Sequence, residues 1–175
     1  MARTDLIKLR INADRKLASG DTKAQTVIDA INNASPTDSY ILFMGFCPGG
    51  EVKNRLDLSW KGKGICRFDY FESKQQVERF NTICTGDLVV LKKTETFGKT
   101  MGLYGHWRVI SISYDAGSIR YLNVDWADQS EVIVTPLMGC TSTVDIKLIE
   151  VVEDYMPEEF YDWLGTNNPA SNKAR

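Results

Sequence analysis

The sequence has little of what most metal centres and hydrolytic sites require. It contains one histidine, His106, and its four cysteines, Cys47, Cys66, Cys84 and Cys140, are widely spaced, with no C-x-x-C pair. A zinc site needs Cys and His ligands at short, regular spacing, so none is expected here. The chain also lacks the G-x-S-x-G, H-E-x-x-H, Walker A and G-x-G-x-x-G motifs. We therefore expect no enzyme activity, no catalytic residue, no metal and no cofactor.

Long apolar segments are missing as well. No stretch approaches the roughly 18 consecutive apolar residues of a membrane-spanning helix, and the N-terminus shows no signal-peptide pattern. We expect a soluble, cytoplasmic protein with reduced thiols and no membrane partner. What is present suits a globular chain: of 175 residues, 43% are hydrophobic and 25% are charged.

The formal net charge of −2 excludes a strongly basic protein, but the charges are unevenly distributed. Residues 1–23 carry six bases and three acids, whereas residues 150–162 carry six acids and no base. Residues 61–108 carry nine bases and five acids. These segments are either solvated faces or separate binding surfaces for a protein partner and for phosphate groups.

Turn residues divide the chain into three parts. Residues 1–35 predict a helical arm, with a first helix to Ala18 and a second over 22–33, closed by Ser35-Pro36. Residues 36–165 form the main domain, and residues 166–175 a polar, disordered tail. Within the main domain we predict a strand over 40–46, a polar loop or short helix over 51–58, a basic turn over 60–64 and a helix after Ser73. The arm either docks on the main domain or acts as a partner-binding or dimerising surface.

The stretch from Gly86 to Trp126 organises the main domain. It predicts a buried strand beginning at Leu88, a polar loop over 92–99, a second strand over 102–110 and a third ending at Trp126. The second strand, GLYGHWRVI, contains two glycines among ring side chains. Glycine inside a strand marks a bulge, a barrel corner or a close approach by a ligand or another backbone.

The segments GDLVVLKK, GLYGHWRV and VDW resemble the EVE family of PUA-like barrel domains, related to the ASCH and YTH domains. The strand YILFMG and the landmarks Trp60 and Phe80 extend the resemblance over about residues 39–152. The chain departs from the family pattern at His106-Trp107, where a ring stands in place of the usual glycine. The resemblance implies an α+β fold: a PUA-like twisted, partly closed β-barrel with flanking helices, preceded here by the N-terminal helical hairpin.

The resemblance also implies a pocket for a nucleobase, formed by the end of the first strand, the loop after it and the strands around the glycines. A base pocket needs ring faces for stacking and polar groups for the base edge. The predicted base-binding residues are Gly45, Phe46, Cys47, Asn54, Trp60, Tyr104, His106, Trp107, Asp125 and Trp126. The predicted phosphate-binding residues are Lys61, Lys63, Lys92, Lys93, Lys99 and Arg108. The alternative is that most of these rings fill the core.

Two functions follow from these observations. The first is a non-enzymatic domain that reads a modified or flipped nucleobase in DNA or RNA, linked to restriction-modification, phage defence or its evasion. The second is a protein-interaction protein, an inhibitor or adaptor of phage or mobile-element type, that uses the barrel as a scaffold. In that case the basic arm or the acidic C-terminal helix is the working surface, and the arm could also form a homodimer.

Overall fold

The computed structural model of the chain describes residues 3–32, 39–69, 73–127 and 131–165. The helices are α1 (Arg3–Ala18), α2 (Lys23–Asn32), α3 (Asp57–Lys63), α4 (Lys74–Asn81), α5 (Ile149–Tyr155) and α6 (Glu158–Trp163). The strands are β1 (Tyr40–Gly45), β2 (Ile65–Arg67), β3 (Leu88–Thr96), β4 (Thr100–Tyr114), β5 (Arg120–Val124), β6 (Ile133–Pro136) and β7 (Val144–Leu148). Two short 3₁₀ turns, Pro48–Gly50 and Val52–Asn54, connect β1 to α3.

All seven strands join one sheet in the order β2-β5-β4-β3-β1-β7, and β6 pairs with the first part of β4. β1 runs parallel to β3, with Ile41 opposite Leu88, and every other pairing is antiparallel. In the described part of the chain, the terminal strands β2 and β7 do not pair with each other. The fold is therefore a mixed α+β fold around a sheet that is not closed.

The sheet separates two hydrophobic cores, and β1 contributes to both. Its side chains alternate, as strand geometry requires. Ile41 and Phe43 enter the core that α5 and α6 cover, whereas Leu42 and Met44 enter the core on the other face. Trp60 of α3 and Phe80 of α4 belong to this second core. β1 is buried on both faces, which explains its continuous apolar sequence.

The helical arm docks on the main domain through polar side chains. The Nη2 of Arg10 on α1 donates a hydrogen bond of 3.0 Å to Tyr114 Oη, and Asn32 Nδ2 donates another of 3.0 Å to the same oxygen. Arg10 Nη1 also donates to Asn32 Oδ1, and Thr85 Oγ1 donates to the Asn32 carbonyl. α2 buries Ile28 and Ile31. One hydroxyl at the end of β4 thus accepts hydrogen bonds from both helices of the arm.

The predicted mixed α+β class is confirmed, and so are both arm helices and the strand at 40–45. The loop predicted over 92–99 is wrong, because β3 continues to Thr96 and only a tight turn precedes β4. The basic turn predicted over 60–64 is also wrong: Trp60 lies inside α3, and Gly64, in the left-handed conformation, caps the C-terminus of that helix. The predicted arm boundary at residue 35 and the disordered tail at 166–175 lie outside the described residues. Within those residues, no helix is long and apolar enough to cross a membrane.

Candidate functional site

A β-bulge in β4 decides which predicted site residues can meet. Leu91 of β3 pairs with Gly105 and Lys92 pairs with Leu103, so Tyr104 is the extra residue on β4. In a regular strand, residues two apart share a face, and one inserted residue reverses that relation. Tyr104 accordingly packs on the core that contains Trp60, whereas the neighbouring His106 side chain points to the face covered by α6. The sequence placed these two rings in one pocket, and the bulge separates them.

Tyr104 forms a ring pair with Phe46 at the end of β1. The ring centroids are 4.9 Å apart and the planes meet at 68°, an edge-to-face arrangement. Arg55, in the loop after β1, places its guanidinium carbon 5.4 Å from each of the two ring centroids. Phe46 is fully buried and Tyr104 is half-buried. The tyrosine ring is therefore the part of this pair that a ligand can reach.

The guanidinium of Arg55 is fixed by a bidentate contact with Asp57, the first residue of α3. Arg55 Nε donates to Asp57 Oδ1 at 2.9 Å, and Nη2 donates to Oδ2 at 2.6 Å. The Asp57 side chain is 1% exposed, so this carboxylate needs its charged partner. The hydrogen bond to Asp57 is the main reason that the pKa of Arg55 is raised. Arg55 thus presents a cation of fixed orientation beside two rings.

A second cation borders the same tyrosine. Lys93 Nζ lies 6.0 Å from the Tyr104 centroid and 3.2 Å from Glu95 Oε1. Tyr104 Oη donates a hydrogen bond of 2.7 Å to that carboxylate oxygen. This hydrogen bond is the main reason that the pKa of Glu95 is lowered, and the nearby Lys93 cation lowers it further. Burial first, and then the hydrogen bond to Glu95, raise the pKa of Tyr104. At neutral pH the group is therefore a neutral phenol between a carboxylate and cations.

The two glycines of β4 are explained by side chains that approach them. Lys61 Nζ donates a hydrogen bond to the Tyr104 carbonyl, and a Cβ at Gly105 would lie 2.6 Å from Lys61 Cε. A Cβ at Gly102 would lie 2.7 Å from Glu95 Oε1 and 3.0 Å from the Tyr104 ring. The bulge, one of the alternatives predicted from these glycines, is present. Among the described residues, side chains approach the glycines where the other alternative had a ligand or another backbone. The approaching groups are this chain's own lysine and glutamate.

We call this set the ring–cation surface, and it consists of Phe46, Arg55, Asp57, Lys61, Lys93, Glu95 and Tyr104. Three cations and two carboxylates surround one half-buried ring, which leaves an excess of one positive charge. The sequence predicted Phe46, Lys61, Lys93 and Tyr104 but missed Arg55 and Glu95 as site residues. The alternation of Lys93 and Glu95 along a strand was a usable signal, because residues two apart on a strand share a face.

Other predicted base-binding residues lie near the end of β1 without forming an open pocket. Gly45 and Trp60 line a cavity of about 30 Å³, and the Trp60 side chain is 6% exposed. A cavity of this size holds a water molecule, whereas ligand pockets start at about 300 Å³. Asn54 is exposed and donates to Glu51. Cys47 is half-buried, and burial raises the pKa of its thiol.

The remaining predicted base-binding residues lie elsewhere on the sheet. His106 is 1% exposed, and its Nε2 is 3.1 Å from the Trp163 carbonyl of α6, so Nε2 carries a proton in this contact. Trp107 is 40% exposed. Trp126 Nε1 donates to the Ile65 carbonyl of β2, and Asp125 is exposed beside it. These residues do not join the ring–cation surface.

The predicted phosphate-binding residues also lie in different environments, one buried and the others at the surface. Lys92 is buried, and its Nζ donates to the Cys140 and Ser142 carbonyls at 2.6 Å each and pairs with Asp145 at 3.1 Å. Lys92 therefore fastens the segment before β7 to β3 and does not reach the surface, which corrects the prediction. Lys63 at the end of α3 and Lys99 in the turn between β3 and β4 are exposed. Arg108 is exposed and donates to the Gly86 carbonyl.

Comparisons with protein-family models, with curated proteins and with solved structures found no match for this chain. Among the described residues, no group of three or more His, Cys, Asp and Glu side chains is placed to hold a metal ion.

Proposed function

We propose that this chain binds nucleic acid by stacking an unpaired or extruded base on Tyr104 and holding the adjacent backbone with Arg55, Lys61 and Lys93. The observation that carries the proposal is a half-buried ring with a cation on Arg55 at 5.4 Å and a cation on Lys93 at 6.0 Å. Proteins that bind single strands combine exposed rings with a cationic surface in this way.

The chemistry of the surface supports attachment to a short stretch of backbone. Each phosphate neutralised on a single strand lowers the logarithm of the binding constant by about 0.7 per decade of salt. Three cations therefore give a slope of about −2. The net excess of one positive charge is small, so binding should be weak at physiological salt and stronger at low salt.

Glu95 gives the surface a means of recognising a base edge. A carboxylate accepts hydrogen bonds from exocyclic amino groups, such as that of cytosine. Glu95 already accepts a hydrogen bond from Tyr104 Oη through Oε1, and two carboxylate oxygens can accept several more. A base stacked on Tyr104 with an amino group toward Glu95 would satisfy both contacts. Glu95 is then the residue to test for discrimination between bases and their modified forms.

In this proposal the protein is a non-enzymatic reader whose twisted, partly closed sheet is of the PUA-like type, as its resemblance to the EVE family implies. It would act by recruiting another protein to a modified or extruded base, or by blocking access to that base. Modification-dependent restriction, phage defence and the evasion of that defence are processes that use such a reader.

The test is titration of single-stranded and duplex DNA and RNA oligonucleotides, with and without modified bases, at low salt. Tyr104→Ala should weaken binding about tenfold to a hundredfold, because stacking of one base contributes roughly 1–3 kcal/mol. Tyr104→Phe keeps the ring and should retain most of the affinity. Tyr155→Ala, at an exposed ring on α5, is the matched control and should change nothing.

Lys93→Ala should weaken binding to all oligonucleotides alike and make the salt dependence shallower, since phosphate contacts carry no sequence information. Lys16→Ala on the arm is its control. Absence of binding to every oligonucleotide at low salt, by a protein shown to be folded, would remove the proposal.

A specific observation favours the second candidate function, a protein-interaction role of inhibitor or adaptor type. The arm leaves Leu9 41% exposed, Leu17 37% exposed and Val27 43% exposed, beside its basic residues. Such exposed apolar side chains suit a protein partner or a homodimer through the arm. Leu9→Ser with Leu17→Ser should then reduce partner capture or dimerisation, as should charge reversal at Glu158, Glu159 and Asp162. Under this alternative, Tyr104→Ala has no effect on partner capture.

A further inference from the structure

A groove of about 350 Å³ lies between the sheet and the two C-terminal helices, on the opposite face of β4 from Tyr104. Its walls include Ile41 and Leu88 from the sheet and Val152 and Phe160 from α5 and α6. All four side chains are buried, so the groove is an apolar recess that continues one of the two cores. Its volume is at the lower end of the range of small-molecule sites.

Rings line the groove next to these aliphatic walls. Trp107, which is 40% exposed, and Tyr161 of α6 both border it. His106 lies at its inner side, with its ring centroid 4.5 Å from that of Trp163. Rings in a recess offer flat contact area at little cost in conformational entropy, so the cavity suits a ligand with an aromatic or branched apolar group.

Two opposite charges border the same recess. Arg108 of β4 and Glu153 of α5 both line it. Glu153 and Tyr161 line the recess together, and Glu153 raises the pKa of Tyr161, after the larger effect of burial. Within the part of the chain that the structure describes, no ion pair joins Arg108 to Glu153. Arg108 uses Nη1 for the Gly86 carbonyl, and a guanidinium has five N–H donors.

The combination of an apolar recess with one cation and one anion restricts the ligand. A ligand with only a negative charge would be repelled by the Glu153 carboxylate, and a ligand with only a positive charge would be repelled by the Arg108 guanidinium. We infer that this groove binds a small zwitterion of the free amino acid class with an apolar, preferably aromatic, side chain. The carboxylate would bind Arg108, the ammonium group would bind Glu153, and the side chain would fill the recess beside Trp107. This site is independent of the proposed nucleic-acid surface.

Three probes that share one side chain test the assignment: L-phenylalanine, phenethylamine, which lacks the carboxylate, and 3-phenylpropionate, which lacks the ammonium group. Tryptophan fluorescence reports binding, because Trp107 borders the groove and Trp163 packs on the His106 ring at its inner side. L-phenylalanine should bind about two- to fivefold more tightly than either analogue, the range expected for one exposed ion pair.

Single substitutions should remove each preference separately. Arg108→Gln should abolish the advantage of L-phenylalanine over phenethylamine, and Glu153→Gln should abolish its advantage over 3-phenylpropionate. Glu150→Gln on the same helix and Arg15→Gln on the arm are matched controls that should keep both preferences. Trp107→Ala should weaken all three probes, measured by calorimetry because the fluorescent ring is lost. All of these positions are exposed or half-buried, so the variants should fold, and thermal unfolding verifies this.

Two outcomes would overturn the assignment. One is the absence of saturable binding by any of the three probes. The other is binding in which the three probes are equivalent, or in which Arg108→Gln and Glu153→Gln leave the preferences unchanged, since the groove would then be an apolar recess without charge recognition. Tyr104→Ala serves to separate this site from the nucleic-acid surface, because it should leave L-phenylalanine binding intact.

Discussion

Gly105 is a position at which one added methyl group should act on two elements at once. The Cβ of an alanine there would lie 2.6 Å from Lys61 Cε and 2.9 Å from its Nζ, closer than real contacts allow. Gly105 does not have a positive φ, so alanine does not strain the backbone itself. The flexible Lys61 side chain of α3 can swing away, and its hydrogen bond to the Tyr104 carbonyl is then lost.

The size of the effect follows from two opposing contributions. A hydrogen bond with a charged donor is worth about 1.5–3 kcal/mol, and the lower end applies because Lys61 is half-buried. Replacing glycine by alanine raises the free energy of unfolding by about 0.4–1 kcal/mol, because alanine lowers the conformational entropy of the unfolded chain. Gly105→Ala should therefore reduce the free energy of unfolding by about 1 kcal/mol, and Lys61→Ala by about 1.5 kcal/mol.

The double variant decides whether this reasoning is correct. Once Lys61 is an alanine, the methyl group at 105 meets no lysine, so the double variant should be about 0.5 kcal/mol more stable than Lys61→Ala alone. Urea unfolding followed by tryptophan fluorescence and by circular dichroism measures all four proteins. Additive losses, with the double variant about 2.5 kcal/mol below the parent chain, would show that Gly105 and Lys61 do not interact.

Three further predictions concern other parts of the molecule. Lys92→Met should lower the free energy of unfolding by about 3–5 kcal/mol, because Asp145 loses a buried cation, whereas Lys99→Met at an exposed site should stay within about 0.5 kcal/mol in the same urea assay. In the native protein, a thiol reagent at neutral pH should label at most Cys47, and only slowly, because burial raises the pKa of that thiol. Cys66, Cys84 and Cys140 are buried, and burial raises the pKa of Cys140 to about 11. Rapid labelling of more than one thiol before denaturation would contradict the packing. Because the pKa of Glu95 is lowered from its ordinary value of 4.5, its contribution to stability is fully present above that pH and is lost as the pH falls through the lowered value. Urea midpoints measured from about pH 6 down to pH 3 should therefore fall less steeply for Glu95→Gln than for the parent chain, and parallel curves would rule out this contribution.

The parts of the fold that could be predicted from the sequence are those with a strong local pattern. The apolar run from Tyr40 gave β1, and the spacing of Ile28 and Ile31 gave α2. The polar half of β3 could not be predicted, because its polar sequence is typical of a loop and Thr94 to Thr96 are exposed. The pairing of this segment with β4 is a tertiary property. α5 was missed for a related reason: Ile149, Val151 and Val152 are β-branched residues, and tertiary context overrides their strand propensity.

The candidate site was predicted as a set of residue types more than as an arrangement. The glycines of β4 predicted a bulge, yet the pattern cannot show at which residue the strand changes phase. That single residue, Tyr104, determines that the ring–cation surface and His106 lie on opposite faces. The partners that fix the surface, Arg55 with Asp57 and Tyr104 with Glu95, depend on how the loop after β1 and the β3–β4 hairpin meet in space.

The position of β1 has a consequence for synthesis of the chain. β1 is among the first strands to be made, yet its two neighbours, β3 and β7, come from the middle and the end of the sequence. One edge of this highly apolar strand stays unpaired until β3 is made, and the other until β7 is made, more than half a chain length later. An unpaired apolar edge is a template for pairing between chains. During translation the segment around Leu42 and Phe43 is therefore where aggregation would begin, and a ribosome-bound chain that stops before Val144 should depend on a chaperone.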